Sequence, residues 1–503
     1  MNKLTRELKK YRSFFHNELH KDILPYWIKY GVEKKGHGFY GAVDLNGKPV
    51  LSANKTSVLN ARILWTFSAA AMLDGNRKYA EMADRAYKVI TEDFEDKKYG
   101  GYYMELTSSD KVANDIKHTY AQAFVLYSLC KYYEFRRKEE TLQKIKDFFL
   151  LLETKTKDTE NDGYLESFTR DWKIYDKNRM ADNNEPKTMN THLHVLEAWA
   201  ALYSVWKDPL VKKRLTEMMN LFLDKIIRKE GHFGIFFDER FNEAEASKGI
   251  CSFGHDIEGS WLLWEAAEIL GNKNIMKKME PLAIKMVDNI ERVAVDKDGG
   301  LFLDKIIRKE GHFGIFFDEK FNEAEASKGI CSFGHDIEGS WLLWEAAEIL
   351  GNKNIMKKME PLAIKMVDNI ERVAVDKDGG LFLESTRFGS HVKTNKHWWQ
   401  QSETLVGFMN AFELTHNEKY WETVKLSWNF IDTYLIDHER GEWYTKLNRL
   451  GIPFLVEPKD DPSPYYRNDW KIDPWKCPYH NGRSMMEMMK RIDRMIFEME
   501  LNA

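Results

Sequence analysis

Apolar residues recur at helical spacing over most of the 503-residue chain. Val195, Trp199, Leu202 and Trp206 stand at i, i+4, i+7 and i+11, and Ile275, Met279, Leu282, Met286 and Ile290 repeat the pattern over 272–291. This spacing predicts helices with one buried face. Other segments, such as YAQAFVLYSLC at 120–130 and SWLLWEAAEIL at 260–270, are apolar nearly all round. A helix of that kind is stable in water only when other helices surround it. The two kinds alternate, which predicts an inner layer of helices wrapped by an outer one. Between them lie Gly- and aromatic-rich connectors, GHGFYGAVD at 36–44, KKYGGYYME at 97–105 and EGHFGIFFDE at 230–239. These read as turns or short β-hairpins at one end of the bundle.

Self-comparison changes the count of elements. Residues 221–300 recur as 301–380 with one difference, Arg240 against Lys320, and the tripeptide Leu-Phe-Leu stands at 221, 301 and 381. True repeat arrays drift between units and need at least three of them, so two near-identical copies indicate a recent or engineered duplication. Removing one 80-residue copy from 503 leaves 423 residues. One polar landmark falls in each apolar helix: Arg62, Tyr120, His194, His255, Glu403 and His480. With one copy subtracted they lie 58 to 77 residues apart, room for a helical hairpin and a loop each. Six hairpins closed in a ring make an all-α (α/α)6 barrel, with the duplicated hairpin segment extruded or inserted. The chain then reads as one barrel domain over 1–503.

Composition narrows the class. The chain is 43% hydrophobic and 31% charged, so it can bury a large core. Its 75 Lys+Arg against 79 Asp+Glu leave a net charge of -4 with no basic block, which argues against nucleic acid as a partner. No 18-residue apolar run suggests a membrane span and the N-terminus lacks a secretory pattern, so the cytoplasm is the expected location. Cys130, Cys251, Cys331 and Cys477 include two copies of one position, so free thiols are expected rather than a disulfide framework.

Polar residues at the starts of apolar helices carry the candidate chemistry, because burying them costs energy unless they are paired or used. Arg62 stands in SVLNARILWTF; Asn190, His192, His194 and Glu197 in MNTHLHVLEAW; His255, Asp256 and Glu258 in FGHDIEGSW; Trp398, Trp399 and Glu403 in NKHWWQQSETLVGF; and Trp475, His480 and Arg483 in DPWKCPYHNGR. His192 and His194 lie about 200° apart on a helix, and Cys477 and His480 lack partner ligands nearby, so no metal is expected. The tryptophans suit either a core or the C–H faces of sugar rings.

Arg62, HTYAQAF at 118–124, MNTHLH at 189–194, FGHDIE at 253–258 and WKCPYHNGR at 475–483, in that order, resemble the cellobiose 2-epimerases of the N-acylglucosamine 2-epimerase superfamily. The resemblance covers essentially the whole chain once one duplicate is removed. It implies an (α/α)6 barrel and catalysis without metal or nucleotide cofactor. The implied reaction inverts C2 of the reducing-end glucose in β-1,4-linked disaccharides, turning cellobiose into glucosylmannose and lactose into epilactose. His255 and His480 are then the acid/base pair, and His194 supports them. Arg62, Tyr120, Asn190 and Glu258 line the polar shell, with Trp398, Trp399 and Trp475 around the sugars. Moving a proton off one face of C2 and onto the other needs two groups titrating near neutrality, and the enediolate between them needs cations or donors such as Arg62 and His194. Glu258, one helical turn after His255, is placed to orient that ring. The small-molecule disaccharide is the expected partner.

Related readings are an N-acylglucosamine 2-epimerase, whose last motif reads more like KGCFHxPR, and an aldose-ketose isomerase. From other classes come an (α/α)6 glycoside hydrolase using Asp256, Glu258 and Glu403, and a protein inactivated by its duplication. The second copy supplies His335 and Glu338 as alternatives to His255 and Glu258. The helix 211–231 is whole only if copy one stays in line, so 301–380 is expected to be the inserted copy and His255 the working histidine. Closing out 80 residues costs only about 4 kcal/mol. An extruded helix 340–350, however, would expose apolar surface and invite self-association in what is otherwise expected to be a monomer.

Overall fold

The computed structural model describes residues 3–177, 184–229, 232–245, 247, 251–279, 316–317, 330–351, 353–386, 392–456, 467–474 and 476–501. Where the sequence suggests one domain, these residues gather into two compact units. One comprises Met1–Leu51, Gly329–Trp341 and Glu360–Ala503, and the other Ser52–Lys328 and Leu342–Met359.

In the second unit, inner helices α2 (Ser57–Asp74), α4 (Thr119–Arg136), α6 (Met189–Val205) and α8 (Phe253–Leu270) pack each on the next. Outer helices α3 (Arg77–Val89), α5 (Glu139–Lys155) and α7 (Pro209–Leu221) cover them. In the first unit, α1 (Lys3–Asn17) packs on α13 (His480–Leu501), α13 on α11 (Trp398–Thr415), and α12 (Glu418–Phe430) on α11. Helices α9 (Phe333–Leu350) and α10 (Lys353–Val373) contribute residues to both units. The alternation read from the sequence is present: α11 is buried on nearly every side, whereas α3 buries one stripe of Tyr79, Ala83, Ala86 and Val89. Thr56 and Thr188 begin α2 and α6 by accepting the N–H groups of Leu59 and Thr191, and Gly75, at φ 69°, ends α2 in the left-handed conformation. Of the helix expected over 272–291, residues 273–279 are helical and the remainder lies outside the described residues.

The connectors follow one plan. Each described outer helix gives way to an antiparallel bridge, Glu95 to Tyr102, Lys157 to Tyr164, Ile227 to Phe233, Val375 to Leu381 and Ile436 to Trp443. A short strand beyond the bridge then pairs with the strand that introduces an inner helix. Among the described residues this link occurs once before each inner helix from α2 to α13, for example Thr56 with Glu105, Thr188 with Phe236 and Ile472 with Val43.

Both copies of the duplicated segment take part in these links. Cys251 and Ser252 of copy one pair with Phe317 and Phe316 of copy two. Ile330, Cys331 and Ser332 of copy two pair with Thr386, Ser385 and Glu384 beyond it. The extra hairpin is therefore inserted in series rather than extruded. Among the described side chains of helix 340–350, Trp341, Leu343, Trp344 and Ala347 are all buried. The reason is energetic. Burying that set is worth on the order of 6 kcal/mol, and each copy brings both strands needed to continue the ladder. With the copies linked identically, parent and insert are not distinct.

Buried ion pairs hold the connectors. Lys117, Lys187, Lys396 and Lys471 stand in strands before inner helices with fully buried side chains, and each meets an aspartate of the preceding turn. Asp96 lies 3.2 Å from Lys117, Asp158 2.8 Å from Lys187, Asp376 3.2 Å from Lys396 and Asp437 2.7 Å from Lys471. Lys187 Nζ also donates to the carbonyls of Asp162 and Glu239. Burial works against the charge on Asp158, but Lys187 and the N–H groups of Asn161 and Glu160 outweigh it and hold the carboxyl down at about 2. Burial also pushes the Lys187 ammonium down, so the pair pays part of its attraction back in desolvation.

Replacing Lys187→Met strands the Asp158 carboxylate and should lower unfolding free energy by about 3–5 kcal/mol at neutral pH in urea titrations. Because the native carboxyl titrates low, its contribution is present above the ordinary value near 4 and is lost as pH falls towards 2. The gap between wild type and variant should close over that window; a gap independent of pH would contradict the pairing.

Candidate active site

The two histidines of MNTHLH have different fates on α6. His192 is fully buried: its Nδ1 donates to the Thr188 carbonyl at 2.6 Å and its Nε2 accepts the Tyr164 N–H at 3.0 Å. Gln122 does the same work for Tyr102, and Gln401 for Leu381, each through a pair of backbone hydrogen bonds. His192 is thus a structural residue of the connector, and burial pushes its pKa down to about 4.

His194 points elsewhere. Its ring lies 5.0 Å from Tyr120, edge to face, and 4.7 Å from Phe124, and its Nδ1 is 3.1 Å from Glu197 Oε2. The Arg62 guanidinium lies over the Phe124 ring at 5.2 Å. In this unit the structure therefore gathers Arg62, Tyr120 and His194 from the first turns of three successive inner helices, around a Phe124 that sequence reasoning did not single out. Asn190 is half-buried in the first turn of α6.

The other unit gathers a second group. His480 opens α13, and its Nδ1 lies 3.1 Å from Glu403 Oε1 of α11. Arg483 Nη2 donates to the same oxygen at 2.8 Å and lies 3.7 Å from Glu338. Burial alone would raise the Glu403 pKa, but Arg483 and His480 outweigh it and keep the carboxyl below its ordinary value. Glu403 Oε2 is buried and has no hydrogen-bond partner among the described residues. Trp398 meets the His480 ring edge to face at 5.6 Å, and Trp399 lies 6.1 Å from it. Trp399 also meets His335, with ring centroids 5.2 Å apart, and the His335 Nδ1 is 2.7 Å from Ser332 Oγ. Glu338, Glu403 and His480 each offer an atom within 4.8 Å of the others, a spacing a metal ion could use, but Arg483 already places a cation against both carboxylates.

The histidine that the described contacts bring to Trp399 is His335 of copy two, because the strand before α9 pairs directly with the segment leading to α11. His255 and Glu258 lie in the first turns of α8, in the other unit, and their side chains are outside the described residues; so is Trp475.

The N-acylglucosamine 2-epimerase (GlcNAc 2-epimerase) family model matches residues 38–315 and again 301–466. The chain belongs to this family. The two matched stretches overlap at the start of the second copy, as an epimerase carrying one extra hairpin requires. A cellobiose 2-epimerase of Bacteroides fragilis is 31% identical over 475 residues, covering 94% of this chain and 97% of that protein. One from Dictyoglomus turgidum is 29% identical over 97% of this chain and all of that protein. The solved cellobiose 2-epimerase of Bacillus thermoamylovorans superposes with a TM-score of 0.62 at 29% identity, covering 96% of this chain and 100% of that one. The fold is the (α/α)6 barrel class of these epimerases, and the chain is a carbohydrate isomerase of that family. Among its described residues, no helix is long and apolar enough to cross a membrane.

His192→Gln copies the residue found at the equivalent positions 122 and 401 and should fold. Because the native pKa of His192 lies below that of an unfolded histidine, its contribution is present above about pH 6.5 and lost as pH falls towards 4. Wild type should lose about 3 kcal/mol across that interval and the variant should not; equal slopes in unfolding titrations would reject a neutral His192.

Proposed function

We propose that this epimerase inverts C2 of the reducing-end glucose in β-1,4-linked disaccharides, converting cellobiose to glucosylmannose and lactose to epilactose. The observation that carries the reading is the His480–Glu403 pair set beside Trp398 and Trp399, with His335 also against Trp399. Indole faces suit the C–H faces of sugars. Glu403 fixes the His480 ring through Nδ1, so proton exchange runs through Nε2, and a buried carboxylate favours the imidazolium that results.

In the open-chain sugar, one histidine takes the C2 proton, the C–H electrons pass into the C1 carbonyl, and an enediolate forms. The second histidine returns a proton to the opposite face of C2. His480 and His335 fill these roles, with His255 the duplicate alternative to His335. Arg62 and His194 stabilise the enediolate, and Tyr120, Asn190, Glu338 (or its duplicate Glu258) and Trp475 complete the sugar's surroundings. Supporting this assignment, Arg62 and His194 stand as far into their inner helices as Glu403 does into its own, and Tyr120 and Asn190, like His480, stand at the helix start. The cytoplasm is the proposed location, and the reaction needs no cofactor in this reading.

Incubation with cellobiose in D2O, followed by NMR of the reducing sugar, should show mannose-type signals carrying deuterium at C2. Release of free glucose would instead identify a hydrolase, and ketose signals an isomerase. His480→Asn and His335→Asn should each lower kcat by at least about 100-fold, the usual worth of an acid/base group. His255→Asn should keep most of the activity; equal losses at 255 and 335 would overturn the choice of copy.

A further inference from the structure

Glu442 departs from the glycine turn of three other connectors, in the connector that precedes α13, and its carboxylate meets Asn481, the neighbour of His480. In three other connectors the aspartate N–H is accepted by a glycine carbonyl, Asp96 by Gly101, Asp158 by Gly163 and Asp376 by Gly380; in the last, Asp437 donates to Glu442. Glu442 holds φ 62°, a left-handed conformation that costs a side-chain-bearing residue energy and that Gly101 and Gly163 adopt without strain. The inner-helix partner changes with it. Gln122, His192 and Gln401 bind the backbone of the following residue directly, whereas α13 has the shorter Asn481.

These two departures fit one another. A Cβ on Gly101 would lie 2.5 Å from the Trp172 ring and 3.1 Å from Gln122 Oε1, and one on Gly163 2.5 Å from the Phe241 ring and 2.7 Å from His192 Nε2, so an aromatic neighbour and a long partner together exclude a side chain there. Asn481 leaves the room, and the Glu442 carboxylate fills it. Glu442 Oε1 accepts the Trp443 N–H at 2.9 Å, Asn481 Nδ2 at 2.7 Å and Lys476 Nζ at 3.2 Å, while Oε2 accepts the Trp27 indole N–H at 2.9 Å. The backbone N–H of Glu442 is held in turn by both Asp22 oxygens at 3.0 Å. Glu442, Lys476, Asn481 and Trp27 are all buried.

We infer that Glu442 is a positioning residue for the proposed reaction: a strained, buried carboxylate that fixes the Lys476–Asn481 turn and thereby the place of His480. The inference rests on the disaccharide-epimerase reading for its activity readout, but its geometry stands apart from the substrate. A long side chain kept in this strained turn, next to a proton-transfer group, is what a positional demand would preserve.

The test restores the ordinary plan. The triple variant Glu442→Gly, Asn481→Gln, Lys476→Met recreates the glycine–glutamine pairing of residues 101 and 122 and removes the cation that would otherwise be stranded. It should unfold within about 5 °C of wild type, with kcat on cellobiose reduced about 10- to 100-fold and KM within about threefold. Asn481→Ser, which leaves the Glu442–Lys476 pair intact, should show the same split if the triple variant does not fold. Wild-type kcat in either folded protein would overturn the inference. Should wild type itself fail to act on disaccharides, the preceding reading falls and this one is read from 13C-histidine NMR. The His480 resonance, assigned by its loss in His480→Asn, should shift or broaden in the variants, and an unchanged resonance would refute the positioning role.

Discussion

The structure depends on charges buried in its connectors. A lysine with no exposed side chain, as at 117, 187, 396 and 471, is tolerable only against a carboxylate. That requirement ties the turn after one outer helix to the strand before the next inner helix, and so fixes where each inner helix begins. Arg62, Tyr120, His194, Glu403 and His480 all stand within about two turns of those beginnings. The site's geometry is therefore inherited from the connectors rather than from the apolar helix contacts, which resist sliding less.

The duplication is accommodated through the same plan. Each copy carries a strand that pairs backwards and one that pairs forwards, so the succession of strand links continues through both. A long extruded loop would have been cheap in chain entropy but would have left an all-apolar helix in water. The outcome bears on the site because it determines which histidine follows from the link to α11. His335 reaches Trp399 through the pairing of residues 330–332 with 384–386, a contact that identical copies cannot announce in sequence.

Periodicity alone was enough to recover the two helix types, their alternation and the turn-rich connectors, because burial on one face or on all faces writes a distinct pattern. The landmark residues also fall at helix starts as read. The different natures of His192 and His194 were not readable: both lie in one turn of one helix, and only the Tyr164 N–H shows that the first is a structural cap. Glu403 was visible as a polar residue in an apolar helix, but its partners Arg483 and His480 come from 77 to 80 residues away. Phe124 carried no signal, being one aromatic among many. Glu442 did carry one, since it stands where the connectors at 96–101, 158–163 and 376–380 show glycine.

By itself, then, the sequence determined the helical class, the hairpin count, the doubled segment and the family, since each follows from local pattern or from motif order. Only the tertiary structure decided that both copies pair in series, that His335 meets the tryptophan beside His480, and that Glu403 holds that histidine while Glu442 holds its neighbour Asn481. Those outcomes turn on which of two equal strands pairs with which neighbour and on whose charge compensates whose burial. Both are settled by contacts between residues far apart in the chain, where local pattern has no reach.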